Sequence, residues 1–179
     1  EVNGLLIVDE AYAEFSSETS AVTLISQYPN VVVIRTMSKA FSFAGARVGY
    51  IAANPELVEA IQLVRLPYHL STITQAIARA ALRFSDELQG QVNLLRQERD
   101  NLAIWFVDEG FDVTPSGANF LLFGTFADRN LVWEQLVEQG VLIRQTGPDG
   151  WLRVSIGTPE ENLAFKTALL HVTNRTNGK

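Results

Sequence analysis

Lys39 stands in the segment Thr36-Met37-Ser38-Lys39-Ala40-Phe41-Ser42-Phe43-Ala44-Gly45-Ala46-Arg47. A lysine after a strand is ordinarily a solvated surface residue. Here two hydroxyls, Thr36 and Ser38, precede it and Arg47 follows eight residues later, in a stretch otherwise apolar and punctuated by glycine. Hydroxyls with one arginine suit a phosphate group. A lysine shielded by apolar neighbours and close to another cation favours its neutral, nucleophilic amine. The combination suits an aldehyde cofactor that bears a phosphate. A second group, Asp9-Glu10-Ala11-Tyr12, directly follows the apolar run Leu5 to Val8. An isolated aspartate at a strand end forms a turn or caps a helix, but beside a reactive lysine it acquires a second reading. An electron-withdrawing cofactor ring needs its nitrogen kept protonated, and a paired carboxylate does that. Tyr12 has a phenol to offer the cofactor's ring oxygen, with a core tyrosine bonded to backbone as the competing reading.

The elements that must position these residues follow from hydrophobic pattern. Leu5 to Val8 and Val31 to Ile34 are short apolar runs that read as strands buried on both faces, with the amphipathic stretch Ala21 to Gln27 between them and Pro29-Asn30 as the break. The spacing predicts a βαβ unit with parallel strands, whose ends bring Asp9 and Lys39 to one rim of the sheet. Val48 to Ala52 reads as a third strand, Pro55 to Leu66 as a helix stopped by Pro67, Thr72 to Arg83 as a helix, and Gln89 to Glu109 as one long helix ending at Gly110. Beyond it come strands at Phe111 to Thr114, Asn119 to Phe123, Val141 to Arg144 and Leu152 to Ile156. Helices are expected at Arg129 to Gln139 and Pro159 to Val172. The fold class is α/β: residues 1–88 are expected to form part of a mainly parallel sheet domain, 89–172 a small α+β domain, and 173–179 a tail that is not expected to pack.

With 179 residues and 47% hydrophobic composition the chain can build a sizeable core, while a net charge of −6 argues against a nucleic-acid partner. The sequence has no cysteine, and His69 and His171 lie far apart, so neither a disulfide framework nor a metal site is expected. No apolar run approaches the roughly 20 residues of a membrane span, and the expected setting is cytoplasmic. Because a buried strand begins almost at Glu1, the sequence reads as the later part of a longer polypeptide.

The pattern Asp-x-Ala-Tyr at residues 9–12, then Ser-Lys at 38–39 and Gly-x-Arg-x-Gly-Tyr at 45–50, resembles the fold-type I aminotransferases of the aspartate aminotransferase superfamily. Within that group, Leu66-Pro67-Tyr68-His69-Leu70-Ser71 and Leu152-Arg153-Val154-Ser155-Ile156-Gly157-Thr158-Pro159-Glu160-Glu161-Asn162 resemble the histidinol-phosphate aminotransferases, over roughly Leu5 to Leu170. The resemblance implies pyridoxal 5′-phosphate as cofactor, linked to Lys39, which also shuttles the proton. It implies that Asp9 pairs with the ring nitrogen, that Tyr12 bonds the ring oxygen, and that Thr36, Ser38 and Arg47 hold the phosphate. It further implies Arg153 as the grip on the substrate's acidic group, Arg144 on substrate phosphate, and Asn119 facing the substrate. For Arg144 a strand-end arginine in solvent is the even alternative.

The implied reaction exchanges an amino group between L-histidinol phosphate and 2-oxoglutarate in a homodimer. The alternatives are another cofactor enzyme of this style, such as an aromatic aminotransferase or a phosphothreonine decarboxylase, or a fragment that only packs against protein. The family's glycine-rich phosphate turn, ring asparagine, stacking aromatic and neighbouring-subunit tyrosine have no counterpart in these residues, so the chain by itself is expected to be inactive.

Overall fold

The computed structural model describes residues 3–176. It divides into two compact units, Glu1–Val92 and Asn93–Lys179. The first unit contains a three-stranded sheet of β1 (Leu6–Asp9), β2 (Val31–Thr36) and β3 (Gly49–Ala53) in that order. β1 pairs with β2 in parallel, with Asp9 opposite Ile34, and β2 pairs with β3 antiparallel, with Thr36 opposite Gly49. The sheet is therefore mixed rather than uniformly parallel. Val31, Val32 and Val33 are buried together with Phe15, Met37 and Ala40, as expected of a central strand. β1 departs from the expectation. Leu6 is 43% and Ile7 58% exposed, because β1 is the edge of the sheet among the described residues.

The crossover from β1 to β2 also differs from the predicted helix. Two short 3-10 turns, Ala13–Phe15 and Ala21–Leu24, make the connection. Ser20 starts the second turn by accepting from the Val22 N–H, and the Thr23 hydroxyl donates back to the Ser20 carbonyl. Such side-chain bonds compete with α-helical ones, and the β-branched Val22, Thr23 and Ile25 do not favour a longer helix.

After the sheet, α1 (Pro55–Val64) and α2 (Thr72–Ala81) begin where expected. Asn54 caps the first by accepting from Glu56 N–H at 3.0 Å, with Pro55 in the first turn, and Ser71 caps the second by accepting from Thr74 N–H at 3.0 Å. α3 (Ser85–Asp108) is the long helix anticipated between the two parts of the chain.

The second unit packs α4 (Arg129–Glu138) and α5 (Pro159–Thr176) against an antiparallel sheet of β4 (Asp112–Val113), β5 (Phe120–Gly124) and β6 (Leu152–Ser155). Its core holds Leu102 and Phe106 of α3, Leu121 and Phe123 of β5, Leu136, Leu152 and Leu169. Phe106 stacks on Phe123 at 4.5 Å between ring centroids, and Phe165 meets Phe123 edge-on at 5.6 Å.

The predicted strand Val141 to Arg144 is absent as a strand. Gly140, at φ +79°, closes α4, and the Val141 N–H is committed to the Leu136 carbonyl at 2.9 Å, so pairing shrinks to one antiparallel bridge between Arg144 and Arg153. α5 opens with a capping box in which Thr158 N–H donates to Glu161 Oε2 at 2.8 Å and Glu161 N–H to Thr158 Oγ1 at 3.3 Å. That helix continues to Thr176, so Thr173 to Thr176 of the expected tail are helical, while residues 177–179 lie outside the described residues.

Candidate active site

The sheet edge of the first unit gathers most of the predicted residues. Asp9 ends β1, and its Oδ1 accepts from the Ala11 N–H at 3.0 Å, the turn-forming arrangement expected of an aspartate after a strand. That turn delivers Tyr12. Lys39 lies three residues past the end of β2, with its Nζ over the Tyr12 ring at 5.4 Å from the centroid. The Lys39 side chain is exposed, not shielded as its sequence context suggested, because the apolar neighbours Met37 and Ala40 turn into the core instead.

Thr36 and Ser38 come together, the Thr36 hydroxyl lying 3.0 Å from Ser38 Oγ and accepting from the Ser38 N–H at 3.1 Å. Two hydroxyls in contact at a turn can both be turned to one anionic group. Arg47 adopts φ +55°, and its guanidinium donates to the Ala44 carbonyl at 3.2 Å. The neighbouring Val48 carbonyl accepts from Met37 N–H at 3.0 Å, tying the Arg47 turn to the Thr36 to Ser38 turn. Gly49 permits this approach, since a Cβ there would stand 2.8 Å from the Arg35 carbonyl oxygen.

Behind this rim lies a cluster that sequence reasoning missed. Arg35 donates through Nε to Glu10 at 2.9 Å, through NH1 to Glu14 at 3.0 Å and through NH2 to the Ser20 hydroxyl at 2.9 Å. Burial pushes the Glu10 carboxyl up, but the Ala21 N–H, the Ser20 hydroxyl and Arg35 outweigh it and hold it below the ordinary glutamate value. Burial likewise pulls the Arg35 guanidinium down, and its two carboxylate partners hold it above its ordinary value. Strand alternation carried through the register of β1 and β2 was the signal that could have paired residues 10 and 35.

The second unit carries the other predicted residues. Arg144 and Arg153 form a hydrogen-bonded antiparallel pair, each N–H reaching the other's carbonyl at 2.9 Å. Directly opposed residues project to the same face. Both line an open groove of about 550 Å³ with Trp133, Gln145, Thr146 and Ser155. Arg153 stacks over the Phe120 ring at 4.7 Å, and its buried Nε has no hydrogen-bond partner among the described residues. A paired, partly unsatisfied set of guanidinium donors is chemistry for an oxyanion such as carboxylate or phosphate. Trp133 fixes one wall by donating from Nε1 to the Ile143 carbonyl at 2.8 Å. Asn119 is only half-buried, and its carbonyl accepts from Ile156 N–H at 2.9 Å, the bond that continues the pairing of β5 with β6. Gln145 and Thr146 were not singled out from the sequence, although they directly follow Arg144. Among the described residues no helix is long and apolar enough to cross a membrane.

A lysine on a turn after a parallel strand, with an aspartate and tyrosine at the same sheet edge, defines a recognisable class. The chain belongs to the aminotransferase class I and II family, whose model matches residues 1–169. It is 59% identical over 174 residues to a histidinol-phosphate aminotransferase of Thermobifida fusca, a match covering 96% of this chain and 47% of that protein. It is 54% identical over 173 residues to one from Streptomyces avermitilis, covering 97% and 47%. The crystal structure of histidinol-phosphate aminotransferase from Sinorhizobium meliloti in complex with pyridoxal-5′-phosphate superposes with a TM-score of 0.85 at 29% identity, over 96% of this chain and 49% of that one. The chain thus spans about half the length of the curated relatives it matches.

Proposed function

We propose that this chain is the lysine-bearing part of a pyridoxal-phosphate aminotransferase that exchanges the amino group of L-histidinol phosphate with 2-oxoglutarate. The observation that carries the reading is the exposed Lys39 amine over the Tyr12 ring, at the sheet edge that also presents Asp9, Thr36 and Ser38. These residues fit the group: an amine for an aldehyde, a carboxylate for a ring nitrogen, and adjoining hydroxyls 3.0 Å apart for a phosphate. The phosphorylated substrate is supported by the Arg144 and Arg153 pair and by the relatives' names.

Pyridoxal phosphate, when bound, supplies an aldehyde that condenses with amines and a ring that takes up the electron pair of a broken Cα–H bond. The chain's residues do the rest. Lys39 Nζ would hold the cofactor and, as an amine, would take the proton from the substrate carbon as general base and return it as acid. Asp9 would pair its carboxylate with the ring nitrogen and so favour a proton there. Tyr12 would donate from its phenol to the ring oxygen, and Thr36, Ser38 and Arg47 would hold the phosphate. Arg153 would grip the acidic group of either substrate with a two-pronged fork, the carboxylate of 2-oxoglutarate or the phosphate of histidinol phosphate, while Arg144 would join it on the phosphate and Asn119 would face the bound substrate. The reading includes a cytoplasmic homodimer.

The test is borohydride reduction of the full-length protein with pyridoxal phosphate, followed by peptide mass mapping. The cofactor should be recovered on Lys39, and Lys39→Ala should abolish both the adduct and glutamate formation from histidinol phosphate and 2-oxoglutarate. Turnover near wild type in Lys39→Ala would end the proposal.

A further inference from the structure

Glu10 and Arg35 have no part in the chemistry above, yet they adjoin residues that do: Glu10 follows Asp9, and Arg35 precedes Thr36. Parallel register sets Asp9 opposite Ile34. Alternation along each strand then sends Glu10 and Arg35 to the face opposite Asp9 and Thr36. On that reverse face one guanidinium ties three segments together. Arg35 NH2 lies 2.7 Å from Glu10 Oε2, Nε reaches the same oxygen at 2.9 Å, and NH1 reaches Glu14 Oε1 at 3.0 Å. Glu10 also accepts from the Ala21 N–H at 2.6 Å and from the Ser20 hydroxyl at 2.8 Å. The side chains of Arg35, Glu10 and Glu14 are only 18%, 11% and 13% exposed, so these contacts are shielded from solvent competition.

The arrangement is asymmetric in charge. One guanidinium faces two carboxylates, and Glu14 Oε2 is buried with no hydrogen-bond partner among the described residues. Without Arg35 the two carboxylates would repel each other in a partly desolvated site, and the segment able to separate them is Asp9 to Phe15. That segment is held internally by Ala13 N–H to the Glu10 carbonyl at 3.1 Å and Phe15 N–H to the Tyr12 carbonyl at 2.9 Å. It carries Asp9 and Tyr12.

We infer that Arg35 is a positioning residue: through Glu10 and Glu14 it fixes the Asp9 to Tyr12 segment against the Thr36 to Lys39 segment, and so sets how Asp9 and Tyr12 meet the lysine. The inference rests on the reading of Lys39 as the cofactor-holding residue. Arg35 acts from the far side of the sheet and touches neither cofactor nor substrate.

The test compares wild type, Arg35→Met and Arg35→Lys in the full-length protein. In the cofactor-free form, hydrogen exchange of the Ala13 and Phe15 amides should rise at least about tenfold in Arg35→Met, while the Val32 and Val33 amides of β2 change by less than about threefold. Arg35→Lys, which keeps the charge and loses the fork, should restore part of the protection and folds even if the methionine variant does not. With pyridoxal phosphate added, the pH dependence of the lysine-bound cofactor's absorbance should shift in Arg35→Met and return toward wild type in Arg35→Lys. Equal acceleration at all four amides, or an unshifted absorbance profile, would make Arg35 a mere structural brace and overturn the inference. Absence of a Lys39 adduct in the wild type would overturn the proposed function instead, while the exchange comparison would still decide whether Arg35 holds the segment.

Discussion

Arg144 and Arg153 oppose each other across a single bridge, yet their side chains have different surroundings. Arg153 is half-buried over Phe120, and Arg144 is exposed. A hydrogen bond to a charged group contributes about 1.5–3 kcal/mol. Arg144→Ala should therefore lower kcat/KM for histidinol phosphate by about 10- to 150-fold, and much less for dephosphorylated histidinol. Equal losses on both substrates would remove Arg144 from phosphate recognition. Arg153→Lys should raise KM for the two substrates that carry an acidic group, histidinol phosphate and 2-oxoglutarate, because an ammonium keeps the charge and loses the fork.

Glu10 permits a pH prediction. Its folded-state value lies below the ordinary one, so its contribution to stability is complete above the unfolded carboxylate value and disappears as pH falls through the folded value. Urea denaturation of wild type and Glu10→Gln should show the largest difference near neutrality, shrinking on acidification. At this scale the sequence pointed to Lys39 and Asp9 as neighbours at one sheet edge, because each follows a legible apolar strand. It concealed the Glu10 to Arg35 pair, because two ordinary charged residues 25 positions apart meet only through strand register.

Among elements, β2 and β5 were legible because continuous apolar runs leave little choice of conformation. The crossover was not, since Ser20 and Thr23 form local bonds that end the helical path within one turn. Nor was the fate of Val141 to Arg144, a β-favouring run whose first amide is taken by the end of α4. Strand propensity identifies residues that suit a sheet without revealing which backbone groups are already engaged. β3 depends on a close approach at Gly49. Gly49→Ala would place a Cβ against the Arg35 carbonyl at 2.8 Å, so β3 should shift away from β2 and stability fall by about 1–3 kcal/mol. Chemical denaturation checks this, and an unchanged midpoint would show that the strands separate freely.

At the scale of the molecule, the second unit has a continuous core from Leu102 to Val172, whereas the first presents Leu6 and Ile7 at 43% and 58% exposure on an edge strand. We propose that residues 93–179 fold by themselves, and expect them to unfold cooperatively as an isolated polypeptide. Residues 1–179 alone should self-associate through β1, and Ile7→Lys should reduce that association in analytical ultracentrifugation.

The division between Val92 and Asn93 also sorts the aromatic residues by type. Trp105, Trp133 and Trp151 all fall in the second unit, and Tyr12, Tyr28, Tyr50 and Tyr68 all fall in the first. Tryptophan emission is consequently a private signal of the second unit, where Trp133 stands in the wall of the arginine-lined groove, whereas tyrosine emission comes wholly from the first unit. The two units can be watched melting, or taking up ligand, as two colours from one unlabelled chain.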